Sequence, residues 1–243
     1  MSVLHMNIQH TAKRYYDDFS SHYDHGRDRG YHALVDELEL AIVEPYARGR
    51  RVLEAGCGTG LLLEQVERVA SQAVGVDLSR GMLERARQRG LSVVQGSVTA
   101  LPFADASFDT VYSMKVLAHV PDIDLALREM ARVTRPGGHL VLEFYNRWSL
   151  RYLSRLAAGA RKIGAGHRES DIPTRWDTPR EILDRLPPEL TQVEVRGVRV
   201  VTPAAAVHRV APISRLVGAA ERLAVASPLR WFGGFLVVVL RRA

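Results

Sequence analysis

Hydrophobic residues along the chain fall into short strand-like runs, separated by stretches with the 3.6-residue period of an amphipathic helix. The strand-like runs cover residues 51–55, 73–76, 91–95, 110–114, 140–144, 193–201 and 235–240. Strands that alternate with helices are typical of a parallel α/β sheet. The connections between the first six runs are long enough for parallel pairing, and the seventh can enter the sheet antiparallel.

Helix boundaries are marked by capping residues and by helix breakers. The predicted helices cover residues 60–70, 122–134 and 204–226, the last of them broken near Pro212. Ser79 has the side chain of an N-cap for a further helix. Residues 178–181 (TPRE) combine a capping box with proline at the first helical position. Pro136 and the two glycines after it end the second helix, because proline stops a helix and glycine accepts the dihedral angles beyond it.

The composition is that of an ordinary soluble domain, with 47% apolar and 25% charged residues among 243. A single cysteine, Cys57, excludes an intrachain disulfide and a zinc site built from several thiolates. The N-terminus has no apolar core of signal-peptide length. The longest apolar run, residues 231–240, is shorter than the ~20 residues that span a bilayer. We therefore expect a soluble cytoplasmic protein without a metal site.

The chain is basic, with a net charge of +6 and a pI of about 9.8. Such a charge fits nucleic acid, an anionic membrane surface or an acidic substrate as partner. It also fits an arginine-rich genome, and we favour that interpretation. The charge therefore selects none of these partners.

Residues 54–60 (EAGCGTG) lie between the first strand and the following helix. Glycines allow a sharp turn there and let a ligand approach main-chain amides, and the helix N-terminus beyond attracts polar or anionic ligands. The same glycines also fit a plain tight turn. The dinucleotide fingerprint fails because the sixth position from Gly56 is Leu61, and a phosphate-binding GKS or GKT is absent from the sequence.

Asp77 ends the second strand, seventeen residues after Gly60. A carboxylate at that edge can accept hydrogen bonds from both hydroxyls of a ribose, although an acid there also suits the N-terminus of the next helix. Ligands of open α/β sheets bind beyond the carboxyl ends of the strands. We therefore predict that Gly56, Asp77, Gly96 and Met114 converge on one nucleotide-like ligand.

Residues 52–60 (VLEAGCGTG) resemble the first signature of class I S-adenosylmethionine (SAM)-dependent methyltransferases. Further matches are residues 101–103 (LPF), 107–109 (SFD) and 132–138 (RVTRPGG). Their order and spacing are similar to the group that includes ubiquinone and menaquinone biosynthesis methyltransferases. The resemblance covers about residues 12–145 and is weak beyond them.

The resemblance implies a Rossmann-like α/β fold with a seven-stranded, mostly parallel sheet, an antiparallel last strand, helices on both faces and an N-terminal helical lid. It implies one methyltransferase domain over residues 1–243. Within that domain we expect the lid over residues 1–45 and the SAM-binding core over residues 50–145. An acceptor-side insert and the last two strands would occupy residues 146–243.

The resemblance also carries a set of SAM-binding residues onto this chain. They are Tyr23, Glu54, Gly56, Cys57, Gly58, Gly60, Asp77, Leu78, Met82, Ser97, Val98, Met114 and Lys115. Glu54 would orient the amino group of the methionine moiety, through water. Asp77 would bind the ribose, and Leu78 and Met82 would pack on the adenine. Ser97 stands where the family often has an acid, so we expect a weaker contact to the adenine amino group.

Two further features would serve the acceptor. Residues 15–24 (YYDDFSSHYD) resemble the family's lid, with Tyr23 as the expected contact, and they also fit an amphipathic helix packed on the core. His119, five residues after Met114, is a candidate general base or a structural residue of its loop. The histidines at positions 22 and 25 are weaker candidates for a base.

We expect the acceptor to contact the lid, residues 145–176 and the helical stretch near His208. Arg147, Arg151 and Arg155 repeat at helical spacing, and residues 147–168 hold six basic residues and no acid. The three arginines fit a solvated helix face. They also fit a site for a phosphate, a carboxylate or an anionic membrane surface.

Methyl transfer to a small molecule such as a quinone, polyketide or lipid-like metabolite is the leading hypothesis, with oxygen, nitrogen and carbon acceptors open. A nucleic-acid (RNA) methyltransferase is the alternative, but residues 113–116 (SMKV) lack the Asp/Asn-Pro-Pro-aromatic sequence of amino-methylating enzymes, and the basic residues are dispersed. A SAM-binding protein without catalysis is a second alternative, because fold alone does not establish activity. Aminopropyl transfer lacks an acidic polyamine site.

Overall fold

The protein is described by a computed structural model over residues 3–158, 162–163, 167–168 and 173–243. The α-helices are α1 (Val3–Phe19), α2 (Gly30–Ala47), α3 (Leu61–Glu67), α4 (Arg80–Gln88), α5 (Ile123–Val133), α6 (Leu150–Ala158), α7 (Pro179–Asp184) and α8 (Ala211–Ala224). The strands are β1 (Arg51–Ala55), β2 (Gln72–Asp77), β3 (Val93–Gln95), β4 (Phe108–Ser113), β5 (Thr134–Tyr145), β6 (Lys162–Ile163), β7 (His167–Arg168), β8 (Leu190–Val198) and β9 (Phe235–Arg242). Within these ranges, no helix has the length and apolarity needed to cross a bilayer.

Seven strands form one sheet in the order β3-β2-β1-β4-β5-β9-β8. β1 pairs in parallel with β2 and β4, and the parallel pairing continues to β3 and β5. β9 is antiparallel to both β5 and β8, so β8 runs in the same direction as β1 to β5. The predicted sheet, mostly parallel with an antiparallel last strand, is confirmed. β6 and β7 form a separate antiparallel pair that the sequence pattern did not predict.

Alternation along the strands gives the sheet two buried faces, because successive side chains of a strand point to opposite sides. Leu53, Val111 and Leu140 pack with α5 and α7 on one face. Val52 and Tyr112 pack with α2 and α3 on the other. Helices therefore cover both faces, as predicted, and the strand ends are left as the place for a ligand.

Two predicted helix ends differ in detail from the structure. α5 passes directly into β5 at Thr134, and the predicted breaker residues 135–138 form a register shift between β4 and β5. Gly137 adopts a φ of 75° there. The last helical stretch begins as a 3-10 turn over Ala205–Arg209, and α8 starts only with Pro212 in its first turn. The predicted break near Pro212 is therefore present, at Val210, and the proline lies in the first turn of the helix that follows.

Candidate functional site

The glycine turn after β1 is held against the end of β2. The Gly56 and Cys57 N–H groups both donate to the Val76 carbonyl, at 2.7 and 3.0 Å. Gly56 has a φ of 85°, and a Cβ there would lie 2.3 Å from a methyl carbon of Val116. Only glycine fits that position. A Cβ on Gly58 would meet no atom within 4 Å, so the turn faces open space at this point.

Asp77 at the end of β2 joins the glycine turn to the start of α4. One of its carboxylate oxygens accepts from the Gly58 N–H at 2.9 Å, and the other accepts from the Ser79 N–H at 2.8 Å. Burial raises the pKa of Asp77, and these backbone donors oppose the shift. A carboxylate has about four acceptor positions, so both oxygens can still accept hydroxyl groups from a ligand.

Two carboxylates of the N-terminal segment hold it against the glycine turn and the start of α4. The sequence analysis assigned neither of them a role. Asp17 of α1 accepts from the Ser79 hydroxyl at 2.6 Å and from the Gly81 N–H at 3.0 Å. Asp24 accepts from the Thr59 hydroxyl at 2.6 Å. α1 and the loop after it therefore contact the same two helix starts that shape the ligand site.

A cavity of about 430 Å³ lies at the carboxyl ends of the parallel strands, within the range of small-molecule sites. Its Asp77 end is lined by Gly58, Asp77, Leu78, Met82, Ser97 and Val98. Its Arg151 end is lined by Tyr31, His32, Tyr145, Arg151, Arg199 and Phe235. β2 and β9 are four strand spacings apart, so the two ends lie about 19 Å from each other. One cavity thus offers two separate binding regions.

Aromatic residues of the N-terminal segment line the cavity between its two ends. Tyr16 and Phe19 of α1 and Tyr23 of the following loop all contribute to the lining. Phe19 and Tyr23 pack edge to face with ring centres 5.8 Å apart. Burial raises the pKa of Tyr16 well above its ordinary value, so its hydroxyl stays neutral. The expected lid and core-packing roles of this segment are compatible.

A smaller cavity of about 50 Å³ adjoins the turn and is rich in charged groups. Glu54 lies on its wall, only 4% exposed, and accepts from the Tyr112 hydroxyl at 3.0 Å. Burial raises the pKa of Glu54 to about 8. Asp36 and Glu39 line the same cavity. This wall suits a positively charged ligand group.

Lys115 lines the smaller cavity, pairs with two of its carboxylates and has an unusual backbone conformation. Its φ is 61°, a left-handed value that costs a non-glycine residue free energy and clusters at functional sites. Its ammonium group forms ion pairs with Asp36 at 2.8 Å and Glu39 at 2.7 Å. Its N–H donates to Glu143 at 3.1 Å. The neighbouring carboxylates raise the pKa of Lys115 against the effect of burial.

His119 lies on a short 3-10 turn after β4 and lines the larger cavity. Its Nδ1 lies 3.3 Å from the Pro173 carbonyl oxygen, and its ring meets Tyr145 edge to face at 5.6 Å. The ring is therefore both oriented by the protein and open to the cavity. This geometry is compatible with either of the two roles expected for it.

Most of the predicted SAM-binding residues meet at these two cavities. Those that line one or both are Tyr23, Glu54, Gly56, Cys57, Gly58, Asp77, Leu78, Met82, Ser97, Val98, Met114 and Lys115. Gly60 lines neither cavity; it precedes α3 with a φ of 81° and packs against Leu91. The Ser97 hydroxyl is 2.8 Å from that of Thr99. A hydrogen bond from Ser97 to a ligand would therefore compete with its hydrogen bond to Thr99.

Other predicted contacts lie away from the cavities. The histidines at positions 22 and 25 are exposed and line neither cavity. His208 is buried behind Tyr31 and shares contacts of 3.3 Å with Thr202 and Ser214. Conversely, His32 and Arg199 line the larger cavity although no motif marked them. They reach it from segments far apart in the chain.

The three arginines at helical spacing have different surroundings. Arg151 lines the larger cavity. Arg147 donates to the Trp176 carbonyl at 2.9 Å, and the Arg155 guanidinium lies 5.5 Å from the centre of the Trp176 ring. The exposed side of α6 instead carries Leu150, Leu153 and Leu156. Arg151 and Arg155 thus face aromatic rings, whereas the Arg147 side chain is 45% exposed and pairs with Glu181. The solvated-face interpretation therefore fits Arg147 and does not fit Arg151.

Comparisons with known proteins agree with the predicted resemblance. Residues 53–142 match the family described as methyltransferase domain. A demethylmenaquinone methyltransferase of Thermobifida fusca is 36% identical over 146 residues, or 57% of this chain and 60% of the relative. A ubiquinone biosynthesis O-methyltransferase of Alkalilimnicola ehrlichii is 38% identical over 112 residues, or 43% and 45% of the two chains. The chain spans about half the length of the curated relatives it matches.

A solved structure agrees over nearly the whole chain. A SAM-dependent methyltransferase of Thermotoga maritima, described as a possible histamine N-methyltransferase, superposes with a TM-score of 0.67 at 21% identity. The match covers 95% of this chain and 99% of that one. At this identity the likeness establishes the fold alone. With the family match, it confirms the predicted Rossmann-like methyltransferase fold.

Replacing Asp17 by alanine should loosen α1, because two hydrogen bonds to the start of α4 are lost. We expect trypsin to cleave after Lys13 and Arg14 several times faster than in the unmodified protein, since cleavage needs local opening. Asp18→Ala is the matched control, because Asp18 is exposed. Equal cleavage rates in the two variants would mean that Asp17 does not hold the helix.

Glu54 should make stability depend on pH. The folded state binds its proton more tightly than the unfolded chain, with a pKa of about 8 against 4.5. The stabilisation present below about pH 4.5 is therefore lost as pH rises through about 8. Urea unfolding from pH 5 to 10 should show the protein losing stability relative to Glu54→Gln, with a constant difference above about pH 9. Parallel curves throughout would contradict a raised pKa.

Proposed function

We propose that this chain, whose residues 53–142 match the methyltransferase domain family, transfers a methyl group from SAM to a small-molecule acceptor. One observation carries the proposal. A single cavity joins a glycine turn and strand-end aspartate at one end to a separate, largely aromatic region at the other. A cofactor and an acceptor can therefore be bound side by side and aligned.

The residues at the Asp77 end fit the nucleoside part of SAM. Asp77 has free acceptor positions for the two ribose hydroxyls, beside the open backbone of Gly58. Leu78, Met82 and Val98 supply apolar contacts for an adenine ring. These groups match a nucleoside without phosphates, because the glycine turn has no lysine that could pair with phosphate groups.

The smaller cavity fits the methionine part. Glu54, Asp36 and Glu39 offer carboxyl groups to an ammonium. Arg27 and Lys115 offer positive charge to a carboxylate on the same wall. Arg27 is already paired with Asp36 at 2.9 Å, so the charged groups are held in position before a ligand arrives. Such pre-organisation reduces the free-energy cost of binding.

When bound, SAM supplies a methyl group on a positively charged sulfur, and the methyl leaves by direct displacement. The protein's contribution is alignment of the acceptor and exclusion of water. Tyr16 and Tyr23 line the cavity, and aromatic rings can stabilise a cationic sulfur. His119 lines the same cavity and can act as a general base for an acceptor that must lose a proton.

A small acceptor is favoured over nucleic acid by the enclosure and lining of the cavity. Its volume of about 430 Å³ must hold the cofactor as well. The cationic residues of α6 turn toward aromatic rings, so they do not form the exposed basic patch that phosphate backbones require. The two curated relatives are named for quinone biosynthesis, which makes quinols the first acceptors to assay.

Asp77→Asn should weaken binding of S-adenosylhomocysteine by ten-fold or more. Each hydrogen bond between a hydroxyl and a carboxylate contributes about 1.5–3 kcal/mol, and the amide keeps only one acceptor oxygen. Calorimetry on the purified protein measures the change. Asp184→Asn is the control, since Asp184 is largely exposed at the end of α7. If S-adenosylhomocysteine does not bind the unmodified protein, the proposed function is wrong.

His119→Ala should leave S-adenosylhomocysteine affinity within about two-fold but lower turnover by about 10²- to 10⁴-fold, if the acceptor needs a general base. The assay transfers radiolabelled methyl to a panel of quinols and phenols. The loss should shrink at high pH, where the acceptor ionises without help. Unchanged turnover at every pH would assign His119 a structural role.

A further inference from the structure

The helix α8 turns an apolar side to solvent. Residues on that side follow one another at spacings of four, three and four, and they are Pro212, Leu216, Ala219 and Leu223. All of them are exposed, Leu216 by 73% and Leu223 by 80%. The opposite side of α8 packs on the protein, where Glu221 is buried. A surface helix normally turns its apolar stripe to the core, so a second apolar side is available to a partner.

More exposed apolar side chains lie next to this helix. Val210 and Ile213 at its start are about half exposed. Leu229 and Phe232 are also about half exposed, on a 3-10 turn over Pro228–Phe232 that packs beside α8. Half of the exposed large apolar side chains in the described ranges thus belong to residues 210–232. We call them, with the apolar side of α8, the α8 face. Such a concentration marks an interaction site, whereas scattered residues do not.

The charges around the α8 face are positive. Residues 205–232 contain one acid, Glu221, and four arginines, at positions 209, 215, 222 and 230. Glu221 is turned inward and accepts from three backbone N–H groups of the loop after β8. Glu37 of α2 offsets Arg222 through an ion pair of 2.7 Å. Arg209 and Arg215 are exposed and form no ion pair with any described part of the chain.

The α8 face lies near the Arg151 end of the cavity. The 3-10 turn Ala205–Arg209, which leads into α8, packs on the start of α2. His208 of this turn and Tyr31 of α2 have ring centres 6.0 Å apart, and Tyr31 lines the cavity. A surface that binds the α8 face would therefore lie close to that end of the cavity.

We propose that the α8 face docks this protein onto an anionic lipid bilayer. Leu216 and Leu223 would enter the acyl region, and Arg209 and Arg215 would meet the lipid phosphates. An apolar helix side flanked by arginines binds in the bilayer interface, and each cation near an anionic leaflet adds to the affinity. A second copy of the chain fits less well. A two-fold contact brings the same patch of both copies together, so arginines would meet arginines without an acid between them.

The first test measures co-sedimentation of the full chain with two kinds of vesicle. One is phosphatidylcholine alone, and the other is equimolar phosphatidylcholine and phosphatidylglycerol. We expect binding to the anionic vesicles to be about ten-fold tighter or more, and to weaken in high salt, which screens the arginines. Equal affinity for the two compositions, or no binding to either, would overturn the proposal. The assay needs no cofactor, so its result is independent of the proposed methyl transfer.

The double variant Leu216→Ser and Leu223→Ser tests the apolar contact. It should weaken binding to the anionic vesicles by about ten-fold or more, because two leucines no longer enter the acyl region. Both side chains are exposed in the folded protein, so Tm should be nearly unchanged. Val94→Ser is the matched control, since Val94 is exposed on β3, at the opposite edge of the sheet from β8. Undiminished binding of the double variant contradicts the proposal.

Two arginine variants separate the α8 face from the overall charge. Arg215→Gln and Arg80→Gln lower the net charge equally, and Arg80 is exposed on α4. Only Arg215→Gln should weaken binding to the anionic vesicles, by about five-fold. Equal weakening by both would mean that net charge alone attracts the protein, and the assignment of the α8 face would be wrong.

Analytical ultracentrifugation without vesicles tests the other occupant of the α8 face. We expect the unmodified protein and the double leucine variant to sediment alike. A dimer that dissociates in the double variant would assign the α8 face to a second copy of the chain and overturn the choice of a lipid surface.

Discussion

The candidate site depends on the carboxylate of Asp77. It joins the N–H of Gly58 to the N–H of Ser79, and so fixes the glycine turn relative to the start of α4. The Ser79 hydroxyl donates in turn to Asp17, which extends the same network to the N-terminal helix. The carboxylates of Asp77 and Asp17 thus hold together the glycine turn, the start of α4 and the N-terminal helix. The remaining acceptor positions of Asp77 face the cavity, so one group both shapes the site and is available to a ligand.

The Asp77 end of the cavity was predictable because its residues are close in sequence and at the ends of adjacent strands. Gly56, Gly58 and Asp77 are placed by the parallel pairing of β1 with β2, and the alternation of strands and helices along the sequence favours parallel pairing. The order of the seven strands was not predicted, because the hydrophobic pattern of a strand does not specify its neighbours in the sheet. The predicted helix caps at Ser79 and Thr178 are confirmed, because a cap depends on only a few neighbouring residues.

The Arg151 end of the cavity was not predictable in detail, because it is assembled from residues without local signature. Helical spacing grouped Arg151 with two other arginines and left a solvated face and an anion site as alternatives. The position of Arg151 is set by Tyr145 at the end of β5, by Trp176 before α7 and by Phe235 at the start of β9. Arg199 reaches the cavity from the loop after β8. Periodicity describes one helix at a time, whereas an aromatic cage around a cation exists only after the sheet has brought β5 and β9 together.

This division has a consequence for inferring the acceptor from relatives. The family match ends at residue 142, before Tyr145, Arg151, Arg199 and Phe235. The matched segment holds the glycine turn and Asp77, to which we assign SAM. The residues at the other end of the cavity lie outside the matched segment, and fold alone does not fix what they bind. A quinone substrate in a relative therefore says little about a cavity end that here holds two arginines.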